Sequence, residues 1–147
     1  MMRYPLVADP IPQADLDALA DWLRGGPHLS MGPLCRRFEE EFAAWVGRRH
    51  AIFCNSGSSA NLLMWAAAKH LRKGRWVTAP AAAWSTTVSP AMQLGFQVEL
   101  HDVDAGTWGM SGRQAFGIAV HMLGVPCAAW GFPGDAYLED ACAALGS

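Results

Sequence analysis

Ala51-Ile-Phe-Cys-Asn-Ser-Gly-Ser-Ser-Ala-Asn-Leu-Leu63 passes from an apolar, strand-like run through a small polar turn into a helical pattern. That order gathers free backbone N–H groups, small side chains and the positive end of a helix dipole at one point. The combination suits a phosphate. Gly57 lets the backbone approach an anion closely, and Ser58 and Ser59 add hydroxyls at the helix start. An ordinary serine N-cap, worth about 1 kcal/mol to a helix, accounts for the same letters. The turn is neither a G-x-G-x-x-G fingerprint nor a P-loop, which ends in Gly-Lys-Ser/Thr.

Upstream of this turn, Leu16, Leu19, Ala20 and Leu23 share one face of a helix over 13–24, closed by Gly25-Gly26. A second helix is expected from about 33 to 46, with Leu34, Phe38, Phe42 and Trp45 inward and Gly47 as its stop. Pro33 suits its first turn, where no backbone N–H is needed. Around the turn itself, a strand is expected at 50–54 and a helix from about 58 to 72, burying Leu62, Leu63, Ala66, Ala67 and Leu71. Further strands are expected at 76–79, 96–101, 118–121 and 136–139, with a broken helix at about 86–94 ended by Gly95. The alternation predicts an α/β fold: a mostly parallel sheet with flanking helices. Residues 102–117 and 122–135 are rich in Gly and Pro and hold no helical period, so covering helices are expected to be absent or vestigial there.

In parallel α/β sheets, ligands sit beyond the carboxyl ends of the strands. Ser56–Ser59, Trp84, His121 and Asp140 all fall at such ends. Asp140, closing Tyr137-Leu-Glu-Asp, either caps the following turn or meets a ligand. Against a pyridine ring, its carboxylate would keep the ring nitrogen protonated and the ring an electron sink. Trp84 either joins the core or stacks on that ring.

Composition narrows the classes. The 147 residues make one domain's worth of chain, 52% apolar and only 16% charged, with seven Trp, so some apolar surface is expected to meet a partner. A net charge of −2 argues against nucleic acid as the main ligand. Cys35, Cys54, Cys127 and Cys142 show no C-x-x-C pair, and the five His show no metal-ligand spacing, so no metal site is expected. The start lacks the unbroken apolar core of a signal peptide, and no apolar run nears the roughly 20 residues that span a bilayer. A reducing, cytoplasmic setting with no membrane contact is the expectation.

Several motifs, in order, carry a resemblance. They are Pro27-His-Leu-Ser-Met-Gly-Pro33, Phe38-Glu-Glu-Glu-Phe-Ala43, Asn55-Ser-Gly-Ser-Ser-Ala-Asn61, Trp84-Ser-Thr-Thr87, Asp102-Val-Asp104, Val120-His-Met-Leu-Gly124 and Glu139-Asp140. Over nearly the whole chain this resembles the DegT/DnrJ/StrS family of sugar aminotransferases, closest to the nucleotide-sugar 3-dehydratase branch. The resemblance implies the N-terminal portion of the large domain of fold-type I enzymes that use pyridoxal 5′-phosphate. Residues 1–49 would supply its N-terminal helices and 50–147 its α/β, cofactor-cradling part. By resemblance, Gly57, Ser58 and Ser59 would hold the phosphate, Trp84 would stack on the ring, and Asp140 would pair with the pyridine nitrogen. The implied substrates are a nucleotide-linked keto-sugar and an amino donor. The implied assembly is a homodimer or a pairing with a complementing C-terminal chain.

Three departures qualify the match. Family members usually carry Gln three residues after this Asp; here that position is Ala143. The connections at 102–117 and 122–135 are shorter than the family pattern. The reactive residue, Lys in the aminotransferases and His in the 3-dehydratases, falls beyond residue 147, so no catalytic residue is assigned. Lys69 and Lys73 lie about ten residues or more along the helix from the turn, roughly 15 Å away at 1.5 Å per residue, too far to serve. Three readings therefore remain: the cofactor-binding part of such an enzyme, a catalytically inactive truncated homologue acting as a binding or interaction module, or a simple α/β domain binding another phosphorylated ligand at Ser58 and Ser59.

Overall fold

The computed structural model describes residues 11–72, 74–111, 116–127 and 137–146. Lys73, residues 112–115 of the 102–117 connection and most of the 122–135 connection, considered above, lie outside these residues. The chain forms two compact units, residues 1–53 and 54–147.

The first unit holds helix α1, Gln13–Arg24, and helix α2, Pro33–Trp45. Pro33 opens α2 at its first position, as its missing N–H predicts. Phe38 is stacked on Phe42 with centroids 5.7 Å apart and meets Phe53 edge-on at 5.4 Å. The faces expected to point inward are not buried. Leu16, Leu19, Leu23, Leu34, Phe38 and Trp45 are all exposed, and Ala43 is the buried residue of α2. The periodicity located the helices correctly, but a stripe becomes interior only where something packs on it.

The strand expected at 50–54 does not form; these residues have no ladder partner among the described ones. The N–H of Phe53 instead donates to the Glu39 carboxylate at 2.8 Å. Ile52 is left 78% exposed.

The second unit is the α/β layer. Helix α3, Gly57–Leu71, is capped by Ser56, whose hydroxyl accepts from the Ser59 N–H. Strands β1, Trp76–Pro80, and β2, Gln97–His101, pair in parallel, as do β3, Ile118–Val120, and β4, Leu138–Asp140. A parallel bridge from Thr78 to Gly117, with Thr78 N–H donating to Phe116 O at 2.9 Å, joins the pairs in the order β2-β1-β3-β4. Helix α4, Ser85–Gln93, connects β1 to β2. The chain is thus α/β with parallel strands, and residues 102–111 form a bridged loop rather than a helix. Within that loop the Asp104 carboxylate accepts from Thr107 Oγ1 and from the N–H groups of Thr107 and Gly106, which hold it below the usual carboxylate range.

The core comprises Trp65, Ala68, Val77, Ala79, Ala91, Phe96, Phe116 and Ile118. Helix α3 turns Asn61, Trp65 and Ala68 inward, not Leu62, Leu63, Ala66, Ala67 and Leu71, which are exposed. The indole fixes that rotation. It is fully buried between Phe96 and Phe116, and its Nε1 donates to Thr87 O at 2.9 Å. The small Asn61 and Ala68, four before and three after it, complete one face.

Gly117 is required where β1 and β3 meet. A Cβ there would lie 2.0 Å from Thr78 O and 2.4 Å from its Oγ1. Gly117→Ala is expected to cost at least about 1–3 kcal/mol, read as a fall in the urea midpoint.

Candidate functional site

The carboxyl ends of β1 and β4 open on a cavity of about 340 Å³. Four of the five residues singled out from the sequence, Gly57, Ser58, Trp84 and Asp140, line it, joined by Asn61, Thr86, Thr87 and Cys142. Two helices begin there. Helix α3 starts at Gly57, and helix α4 starts at Ser85 with Trp84 as its N-cap residue. Ser58 Oγ and Thr86 Oγ1 tie the two first turns together at 2.8 Å.

Ser56 uses both its oxygens on the first turn of α3: its carbonyl accepts from Ala60 N–H and its hydroxyl from Ser59 N–H. The ordinary serine cap is therefore present, one residue before the positions considered from the sequence. The cap leaves the N–H groups of Gly57 and Ser58 as the orphan donors of that turn. Ser59 does not line the cavity; its hydroxyl donates to Asn55 Oδ1 at 2.7 Å.

Asp140 is the carboxylate of the cavity wall. Its Oδ2 accepts from Asn61 Nδ2 and from Thr87 Oγ1, each at 3.1 Å, and its Oδ1 accepts from Cys142 N–H at 3.1 Å. Asn61 and Thr87 are 5% and 1% exposed. Trp84 also lines the cavity, and its 75% exposure leaves its ring free to cover a flat ligand. Two helix N-termini, a carboxylate and a free indole thus border one concave space. The arrangement can hold an anion at the helix N-termini and an N–H donor at the carboxylate.

Sequence reasoning missed Asn61 and Thr87 as members of this site. A signal existed: two amide or hydroxyl residues fall on the buried faces of α3 and α4, where polar groups require partners.

His121 reaches the same rim in sequence but not the cavity. Its Nδ1 accepts from the Cys127 N–H at 2.9 Å, so the neutral ring carries its proton on Nε2 and donates it to Glu139 at 2.7 Å. Burial, and secondarily the Glu139 charge, pushes the Cys127 thiol up from its ordinary value of 9.0. That proton is held more tightly folded than unfolded, so its contribution to stability is full at lower pH and is lost as pH rises above 9.0. Iodoacetamide at pH 8 is expected to alkylate the exposed Cys142 well before buried Cys127, a ranking that peptide mass mapping reads directly.

Lys69 lines a separate cavity of about 250 Å³ at the other end of α3, with Arg72 and Arg75. It donates to Leu94 O there, and Arg72 lies 3.9 Å over the Phe116 ring. These cations serve helix C-termini and an aromatic face. Lys69 is not a cofactor-site lysine. Among the described residues no group of His, Cys, Asp and Glu could hold a metal ion, and no helix is long and apolar enough to cross a membrane.

The chain is 35% identical over 112 residues to the GDP-4-keto-6-deoxy-D-mannose 3-dehydratase of Escherichia coli O55:H7, an alignment covering 73% of this chain and 29% of that protein. It is 35% identical over 141 residues to the dTDP-4-dehydro-2,6-dideoxy-D-glucose 3-dehydratase of Saccharopolyspora spinosa, covering 81% and 30% respectively. A solved structure of GDP-4-keto-6-deoxymannose-3-dehydratase, with a trapped PLP-glutamate geminal diamine, superposes with a TM-score of 0.81 at 28% identity, covering 99% of this chain and 42% of that one. The chain therefore spans less than half the length of these relatives. Residues 10–147 match the DegT/DnrJ/EryC1/StrS aminotransferase family, and the chain belongs to it.

Proposed function

We propose that this chain is the cofactor-binding, N-terminal part of a pyridoxal phosphate-dependent enzyme acting on a nucleotide-linked keto-sugar, as a 3-dehydratase or an aminotransferase. The observation that carries the proposal is the meeting of the α3 and α4 N-termini, Trp84 and Asp140 in one cavity. The cavity's 340 Å³ lies within the lower range of small-ligand sites, and its donors and acceptors match the two polar ends of the cofactor. Residues 1–49 and 50–147 would be the helical and cradling parts of one large domain.

Each residue has a distinct task. The N–H groups of Gly57 and Ser58, with the Ser58 hydroxyl, receive the phosphate at the positive end of α3. Ser59 supports that turn through Asn55 and Ser56. Trp84 covers one face of the ring and excludes water from it. Asp140 accepts the ring N–H and holds the proton on that nitrogen. Pyridoxal phosphate, when bound, supplies the electron sink that makes a substrate C–H bond labile. None of these residues distinguishes dehydration from amino transfer, because both need the same sink.

The substrates are a keto-sugar nucleotide and an amino donor, the setting is cytoplasmic, and neither nucleic acid nor membrane takes part. The exposed apolar faces of α1 and α2, with Ile52, favour a partner surface: a second copy or a complementing C-terminal chain. The same exposed faces favour, as the second reading, a non-catalytic interaction module. Incubation of the polypeptide, together with a complementing C-terminal chain that carries the reactive Lys or His, with pyridoxal phosphate, glutamate and GDP-4-keto-6-deoxymannose separates them. A 3-deoxy or amino sugar product supports the enzyme. Cofactor binding without turnover of any keto-sugar nucleotide, together with concentration-dependent self-association on gel filtration, supports the module.

A further inference from the structure

We propose that Asn61 and Thr87 act as a pair of positioning residues that decide which oxygen of Asp140 receives the cofactor's ring N–H. The inference rests on the cofactor reading above and concerns how this chain, rather than the cofactor, prepares the site. Neither residue touches the reacting atoms. Both act through Asp140.

Proton accounting gives the direction of every bond. An ionised carboxylate only accepts, and an amide NH2 only donates. Thr87 Oγ1 lies 3.1 Å from Asp140 Oδ2, so its single hydrogen goes to that oxygen. Its lone pairs then face Asn61 Nδ2 at 3.5 Å, and the same Nδ2 donates to Oδ2 at 3.1 Å. Two donors converge on Oδ2 and occupy its two acceptor positions. On Oδ1 the Cys142 N–H takes one position at 3.1 Å. Among the described residues one acceptor position remains on the carboxylate, and it is on Oδ1. A ring bearing one N–H meets that vacancy with no donor or acceptor left over.

The pair is held rigidly. Thr87 is 1% exposed on α4, and its carbonyl accepts from the buried Trp65 indole at 2.9 Å; Asn61 sits four residues before Trp65 on the buried face of α3. The carboxylate is therefore oriented from both helices whose first turns line the same cavity.

The test uses the full chain and pyridoxamine 5′-phosphate, which lacks an aldehyde and so cannot react with surface lysines. Affinity is read by calorimetry, and ring-nitrogen protonation by the pH dependence of the bound ligand's absorbance. Thr87→Val removes a donor at nearly constant shape, and Asn61→Ala removes one without adding bulk. Each is expected to weaken binding about ten-fold and to shift the pH at which the bound ring nitrogen loses its proton away from the wild-type value. Thr87→Ser, which keeps the hydroxyl, is expected to restore both readouts. A purely structural loss would not shift the protonation of the ligand still bound. Wild-type values in both Thr87→Val and Asn61→Ala overturn the clamp alone. Failure of the wild-type chain to bind overturns the cofactor reading with it.

Discussion

Asp140→Asn is expected to weaken binding of pyridoxamine 5′-phosphate by roughly 10- to 150-fold while leaving the fold intact. The magnitude is that of one charge-assisted hydrogen bond, about 1.5–3 kcal/mol. Asparagine matches the size of the side chain but replaces one acceptor oxygen with a donor NH2. Asn61 Nδ2, Thr87 Oγ1 and Cys142 N–H all present hydrogens to the present carboxylate. An amide cannot satisfy these three and also accept from a ring N–H. Whichever way it turns, one of its hydrogens faces a donor. Calorimetry measures the loss, and an unchanged circular dichroism spectrum separates it from unfolding. Wild-type affinity in this variant would remove Asp140 from the site.

Trp65→Ala is expected to give the largest loss of stability, about 3–5 kcal/mol. Domains of this size are stable by only about 5–15 kcal/mol, so the variant approaches global unfolding. The indole is fully buried and packs against Phe96 and Phe116, with centroids 5.5 and 6.4 Å away. Removing it opens a cavity between helix and sheet and takes the indole N–H from the Thr87 carbonyl, a group adjoining the Asp140 clamp. Trp65→Phe keeps most of the packing and loses the indole N–H, so about 1 kcal/mol is expected. Urea midpoints order the three proteins. An alanine variant within 1 kcal/mol of wild type would mean that the core lies elsewhere.

The elements were legible where local chemistry sets them. Gly25, Gly47 and Gly95 mark helix ends, Pro33 marks a start, and apolar runs give β1 to β4. Burial was less legible because it is a tertiary property. The leucines of α3 and its single Trp lie on different faces of one helix, and only the neighbouring Phe96 and Phe116 decide between them. Residues 50–54 have strand composition, but a strand needs a neighbour, and the Phe53 N–H finds a glutamate side chain instead. At the cavity, the rule that ligands meet strand ends brought out Trp84 and Asp140, whereas Gly57 and Ser58 were legible as a helix start, since the strand expected before them does not form. That rule could not bring out Asn61 and Thr87, which reach Asp140 from 79 and 53 residues away in the chain.

The central claim is that one cavity of this chain recognises both ends of a phosphorylated pyridine. Calorimetric titration with pyridoxamine 5′-phosphate, repeated in excess glucose 6-phosphate, tests it most directly. The account predicts one site per chain, displaced by pyridoxal phosphate and little affected by the sugar phosphate. Equal displacement by the sugar phosphate, or no binding heat at all, would contradict it.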